Sequence, residues 1–154
     1  MPSLWQLTEL DLTGCPKIGG SLVFLGLCPS LLSLRLHSCF KVTDAVLKEL
    51  STALQYDSNS LSNPGKSTVT TSNHHSSTQA ALADADSSTA DPVPLQQLDL
   101  SYTRVKDAGM PHLVAALPRL SNLGLKGCNV GDDGLDHLVR LQHLTALHIK
   151  HCHR

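Results

Sequence analysis

The chain of 154 residues is 41% hydrophobic but only 3% aromatic, which suits one domain around an aliphatic, leucine-filled core. A formal charge of -1 at pH 7 supplies neither a basic field for nucleic acid nor a polybasic cluster for an anionic membrane, so general binding to either is excluded. No window approaches the ~18 uninterrupted apolar residues of a membrane span.

The opening "MPSLWQLTEL" lacks the basic region and apolar run of a secretory signal. Five cysteines, an odd number, and no Asn-x-Ser/Thr acceptor leave no marker of secretion. The expectation is therefore reduced thiols and an intracellular chain, cytoplasmic or nuclear.

The first predicted strand lies in "LTELDLTGC" from Leu7, and the phrase returns as "LLSLRLHSC" from Leu31, "LQQLDLSYT" from Leu95, "LSNLGLKGC" from Leu120 and "LTALHIKHC" from Leu144. The starts are 24, 64, 25 and 24 residues apart. A period near 24, interrupted once by about 40 extra residues, marks stacked repeat units. Within each copy LxxLxL alternates apolar and polar residues, as a half-buried strand requires, so Leu98 and Leu100 point inward while Gln97, Asp99 and Ser101 point out. The outward row is Glu9, Asp11 and Thr13; Ser33, Arg35 and His37; Gln97, Asp99 and Ser101; Asn122, Gly124 and Lys126; Ala146, His148 and Lys150. It grades from acidic to basic and is the candidate partner-binding surface, although it lacks the aromatic anchors that usually dominate binding energy.

After each strand stands Cys15, Cys39, Thr103, Cys128 or Cys152. A small side chain there can pack inside and offer a weak S–H or O–H to a turn carbonyl. The fifth cysteine, Cys28, aligns with Leu117 and Leu141, a core position. The segments that follow differ by copy. "KIGGSLVFLGL" in the first predicts a short or irregular turn, whereas "VTDAVLKEL", "VKDAGMPHL" and "VGDDGLDHL" predict helices. Asp44, Asp107 and Asp132 are read as their N-caps, each contributing roughly 1 kcal/mol.

Between Gln55 and Pro94 the periodicity disappears. This Ser/Thr-rich insertion, 55–94, has too little apolar surface to offset the entropy of ordering it, so it is read as a disordered loop. One domain, 1–54 plus 95–154, remains around it. Within "DADSSTAD", Ser88 resembles an acidophilic phosphorylation site, and His74 and His75 are read as solvated. The closing "HIKHCHR" carries His148, His151, Cys152 and His153, but strand alternation sends these side chains apart, so no metal centre is expected. No nucleophile elbow, phosphate loop or carboxylate pair is present, so neither an enzyme nor a cofactor is expected. Ending just after a strand, the chain reads as part of a longer arc or a truncated product, with an exposed end that favours instability or self-association.

The phrase LxxLxLxxC…VxDxGLxxL, nearly complete in "LSNLGLKGCNVGDDGLDHL", resembles the cysteine-containing leucine-rich repeat found in F-box substrate-recognition subunits of ubiquitin ligases. The likeness covers Leu7 to Leu54 and Leu95 to Cys152. It implies an α/β fold: a curved right-handed β-α solenoid with a parallel sheet on its concave face and helices on its convex face. It further implies a protein-interaction module, for substrate recognition or scaffolding, with a protein partner. No F-box-like segment accompanies it. The alternatives are a regulatory binder of an enzyme or GTPase, similar to ribonuclease-inhibitor and Ran-GTPase-activating members of the wider fold, with Arg104 the suggestive residue, or a fragment without activity of its own.

Overall fold

The computed structural model describes residues 4–60 and 93–152. Strands β1 (Glu9–Asp11), β2 (Ser33–Arg35), β3 (Gln97–Asp99), β4 (Asn122–Gly124) and β5 (Ala146–His148) fall inside the five phrases and form one sheet in sequence order. Every pairing is parallel, and the register aligns Leu10, Leu34, Leu98, Leu123 and Leu147 in a single row. Parallel neighbours require a crossover after each strand, and the intervals between phrases provide one.

Those crossovers are a 3-10 segment Gly20–Leu27, helix α1 (Asp44–Ser60), a 3-10 turn Asp107–Gly109 leading into α2 (Met110–Ala116), and α3 (Asp132–Leu138). They touch one another in chain order. The first crossover is irregular, as its glycines and clustered apolar residues predict. The described part of the chain is thus α/β, and no described helix is long and apolar enough to cross a membrane.

The core lies between the sheet and the crossovers. Leu34, Leu36, Leu98, Leu100, Leu123 and Leu125 enter it from the strands, and Val46, Leu47, Leu50, Met110, Leu113 and Leu138 from the helices. Full burial of one such side chain stabilises by about 1.5–3 kcal/mol. Cys28, Leu117 and Leu141 are all buried at their shared position.

Two recurring contacts tie neighbouring copies together. The Cys39 thiol donates to the Leu12 carbonyl, that of Cys128 to Leu100 and that of Cys152 to Leu125, each at 3.1 Å. Thr103 departs from this by donating to its own copy's Leu100 carbonyl at 2.7 Å. Burial pushes the Cys39 and Cys128 thiols above their ordinary pKa, because a thiolate would lose its solvation there. One backbone feature also repeats: Gly14, Ser38, Tyr102, Gly127 and His151, the residues just before this position, all have φ between 57° and 71°. Left-handed backbone suits glycine and costs other residues about 1–2 kcal/mol.

The second contact corrects the expected helix caps. Asp107 and Asp132 are the first residues of their segments, with Lys106 and Gly131 at the N-cap positions and no side-chain cap bond; Asp44 likewise begins α1. The Asp44 and Asp107 carboxylates turn toward the following copy instead. Asp44 Oδ1 accepts the Lys106 N–H at 2.7 Å, and Asp107 Oδ1 accepts the Gly131 N–H at 2.6 Å. Parallel stacking brings an N–H of the next copy within hydrogen-bond reach. A Cβ on Gly109 or Gly134 would lie 2.5 Å from the arriving Asp44 or Asp107 oxygen, so aspartate and glycine form a pair across neighbouring copies. Copy one has Gly20 at the aspartate position, and copy two correspondingly has buried Val46 in place of the glycine.

The insertion boundaries also shift. Helix α1 runs on to Ser60 rather than stopping near Leu54, because adding a residue to an existing helix costs little once it is nucleated. At the other end Val93 is buried in the core. The remainder, including Ser88, His74 and His75, lies outside the described residues.

Candidate binding face

Opposite the core, the outward row forms a shallow face with a groove of about 320 Å³ over β2 to β5. Its lining includes Ser33, Arg35, His37, Gln97, Asp99, Ser101, Asn122, Gly124, Lys126 and His148. Glu9 and Asp11 line a separate hollow with Arg35 at the β1 side. Thr13 and Lys150 are exposed beyond the strand ends and Ala146 is half-buried; none of the three lines the groove.

Two positions depart from the expected exposure. Ser101 is 2% exposed, because its hydroxyl is turned inward to accept the Lys126 N–H at 3.2 Å. Gly124 is buried beneath Asp99: a Cβ there would sit 2.5 Å from Asp99 Oδ1 and 3.2 Å from the Ser101 hydroxyl. The absence of a side chain in β4 therefore creates the groove floor and lets the carboxylate of β3 lean across it.

The carboxylates are fixed by local backbone. Asp11 Oδ1 accepts the Thr13 N–H and Asp99 Oδ1 the Ser101 N–H, both at 2.9 Å, the short-range closure by which aspartate ends a strand. Hydrogen bonding from Thr13, with a smaller contribution from Arg35, holds the Asp11 carboxyl below its usual pKa. Arg35 lies 3.6 Å from Asp11, and His37 Nδ1 lies 3.9 Å from Asp99 Oδ2. Both pairs are solvated and contribute little to stability. Among the described residues Lys126 and Lys150 make no ion pair.

Tyr102, absent from the expected set, stands at the rim. Its ring meets His37 edge-on at 5.0 Å between centroids and covers Gly127, where a Cβ would come within 2.6 Å of the ring. The signal for it was the glycine at the same place in copies one and four, which marks a left-handed position; a tyrosine there projects sideways over its neighbour. Arg104 is exposed, with its backbone bridged to Thr43 and outside the groove lining. Among the described residues no three His, Cys, Asp or Glu side chains converge to hold a metal ion. Comparison with protein-family models and with curated proteins gave no match.

Proposed function

We propose that the chain is a leucine-rich-repeat solenoid whose strand face binds a protein partner. The observation that carries this reading is the common register of the five phrases, which brings polar side chains from four strands around one groove. The three thiol-to-carbonyl bonds between copies support the cysteine-containing class and a reducing, intracellular setting, since each needs an S–H. A groove that is open, mixed in charge and poor in aromatics suits a polar protein surface better than a small buried ligand. The activity proposed is recognition or scaffolding, of the kind that F-box subunits use to hold ubiquitin-ligase substrates, and not catalysis.

The test is affinity capture of partners by the chain and by two charge-reversed forms, Asp99→Lys and Lys126→Glu. The reading expects each change to remove bound proteins that the unaltered chain retains. An identical bound set with all three baits contradicts it.

A further inference from the structure

The strand face has a gap inside the groove. In the row Asp11, Arg35, Asp99, Gly124 and His148, which the register aligns across the sheet, β4 alone contributes no side chain. Neighbouring strands lie about 4.8 Å apart, so Asp99 and His148 stand on strands roughly 10 Å apart with Gly124 between them. Asp99 leans into this gap from one side, its Oδ1 2.5 Å from where a Gly124 Cβ would be. The rest of the gap is part of the groove of about 320 Å³, ample for one side chain from outside.

Donors predominate around the gap. Lys126, on the same face just beyond Gly124, is exposed and among the described residues makes no ion pair. His148 is exposed on the far side and offers an N–H in either charge state, as the Asn122 amide does from below. The acceptors are largely taken. The Ser101 hydroxyl accepts the Lys126 N–H, and Asp99 Oδ1 accepts the Ser101 N–H. Asp99 Oδ2 lies 3.9 Å from His37 Nδ1, beyond hydrogen-bond length, and keeps its capacity to accept. A carboxylate carried on extended backbone answers both sides: its oxygens accept from Lys126, His148 and Asn122, while a backbone N–H of the same segment donates to Asp99 Oδ2.

We infer that the gap over Gly124 anchors an Asp or Glu side chain from an extended acidic segment of the protein partner. This rests on the reading of the strand face as a protein-binding surface and names what that surface selects. Size and charge set the choice together. The charge of Lys126 balances one carboxylate, whereas a phosphorylated side chain brings about −1.5 to −2 against the neighbouring Asp99 carboxylate. A basic anchor meets Lys126 and is repelled. Gly124 is then the residue that sets specificity, because any side chain there takes the place of the anchor.

Fluorescence anisotropy of the full chain with four labelled Ser/Gly peptides tests this, the peptides differing only in whether alternate positions hold Glu, Gln, Lys or phosphoserine. The Glu peptide should bind most tightly, at least ~10-fold ahead of the Gln and Lys peptides, and weaken as salt is added. Gly124→Val, which alters no charge and suits a strand, should cost that peptide at least ~10-fold by filling the gap. Lys126→Gln should cost it about 5-fold, while Lys48→Gln, the same change on the exposed side of α1, should cost nothing. Circular dichroism identifies a variant that has lost its fold, and the other variant then decides. Gln, Lys or phosphoserine peptides bound as tightly as the Glu peptide, Glu binding untouched by either folded variant, or no binding of any peptide would overturn the inference. The wider reading is judged separately by the charge-reversed baits: partners lost with Asp99→Lys and Lys126→Glu, but no preference for the Glu peptide, would keep the face as a binding surface and discard its acidic anchor.

Discussion

The third and fourth copies and the fifth share one phrase but not one environment. Leu123 in β4 is completely buried, whereas Leu147, its register partner in β5, is 37% exposed. Asp107 reaches forward to the Gly131 N–H, while among the described residues Asp132, its equivalent one copy on, accepts no such bond. The sequence of a copy therefore does not by itself decide how well its leucines are covered. The copy packed beside it supplies the rest of that cover.

The sharpest way to break this comparison is to truncate the two leucines. Leu123→Ala should cost about 2–5 kcal/mol, the usual loss for a fully buried leucine, and Leu147→Ala less than half of that. Urea denaturation of both variants, under dilute conditions, measures the difference; equal losses would mean that position in the stack does not matter. Gly134→Ala tests the aspartate pairing next. Its Cβ would meet the Asp107 oxygen at 2.5 Å, so a cost of about 1–3 kcal/mol is expected. Gly20→Ala, where the nearest atom is at an ordinary 3.6 Å, should stay within about 0.5 kcal/mol. Adding Asp107→Ala to Gly134→Ala should cost less than the two changes summed.

A smaller effect sharpens the comparison from the other side, because it is local and should not depend on neighbours. Ser38 holds φ at 60°, so Ser38→Gly should raise stability by about 0.5–1 kcal/mol, read as a higher melting temperature. The smallest expected effect is a pH dependence. Because the folded Cys39 and Cys128 thiols titrate above their ordinary value, their contribution is full below the unfolded thiol pKa of roughly 8.5 and declines as pH rises from there toward the folded values. Cys128→Ala should flatten that alkaline decline in a denaturation series.

The sheet was legible because leucines at a fixed offset recur in five phrases, and parallel register follows once each strand must place Leu10, Leu34, Leu98, Leu123 and Leu147 on one side. The core cysteines were legible for the same reason. The role of Asp44 and Asp107 was not, since a carboxylate at a helix start reads as a cap when only one copy is considered; its true partner is 24 residues away for Asp107 and 62 away for Asp44. The groove was legible as a row of residues but not as a shape. Its floor depends on Gly124 lacking a side chain, and Ser101 is hidden because its hydroxyl caps the Lys126 N–H. The end of α1 was misplaced because composition alone carries no helix stop signal after Leu54.

Native-state hydrogen exchange tests most directly that each copy is held by its neighbours. The Leu100 amide, bonded to Gly124 in the middle of the sheet, should be among the slowest to exchange, and the Ala146 amide, bonded to Ser121 in the edge strand of the described sheet, should open by local fraying at a free energy well below the global value. Equal protection of Ala146 and Leu100 would contradict the account.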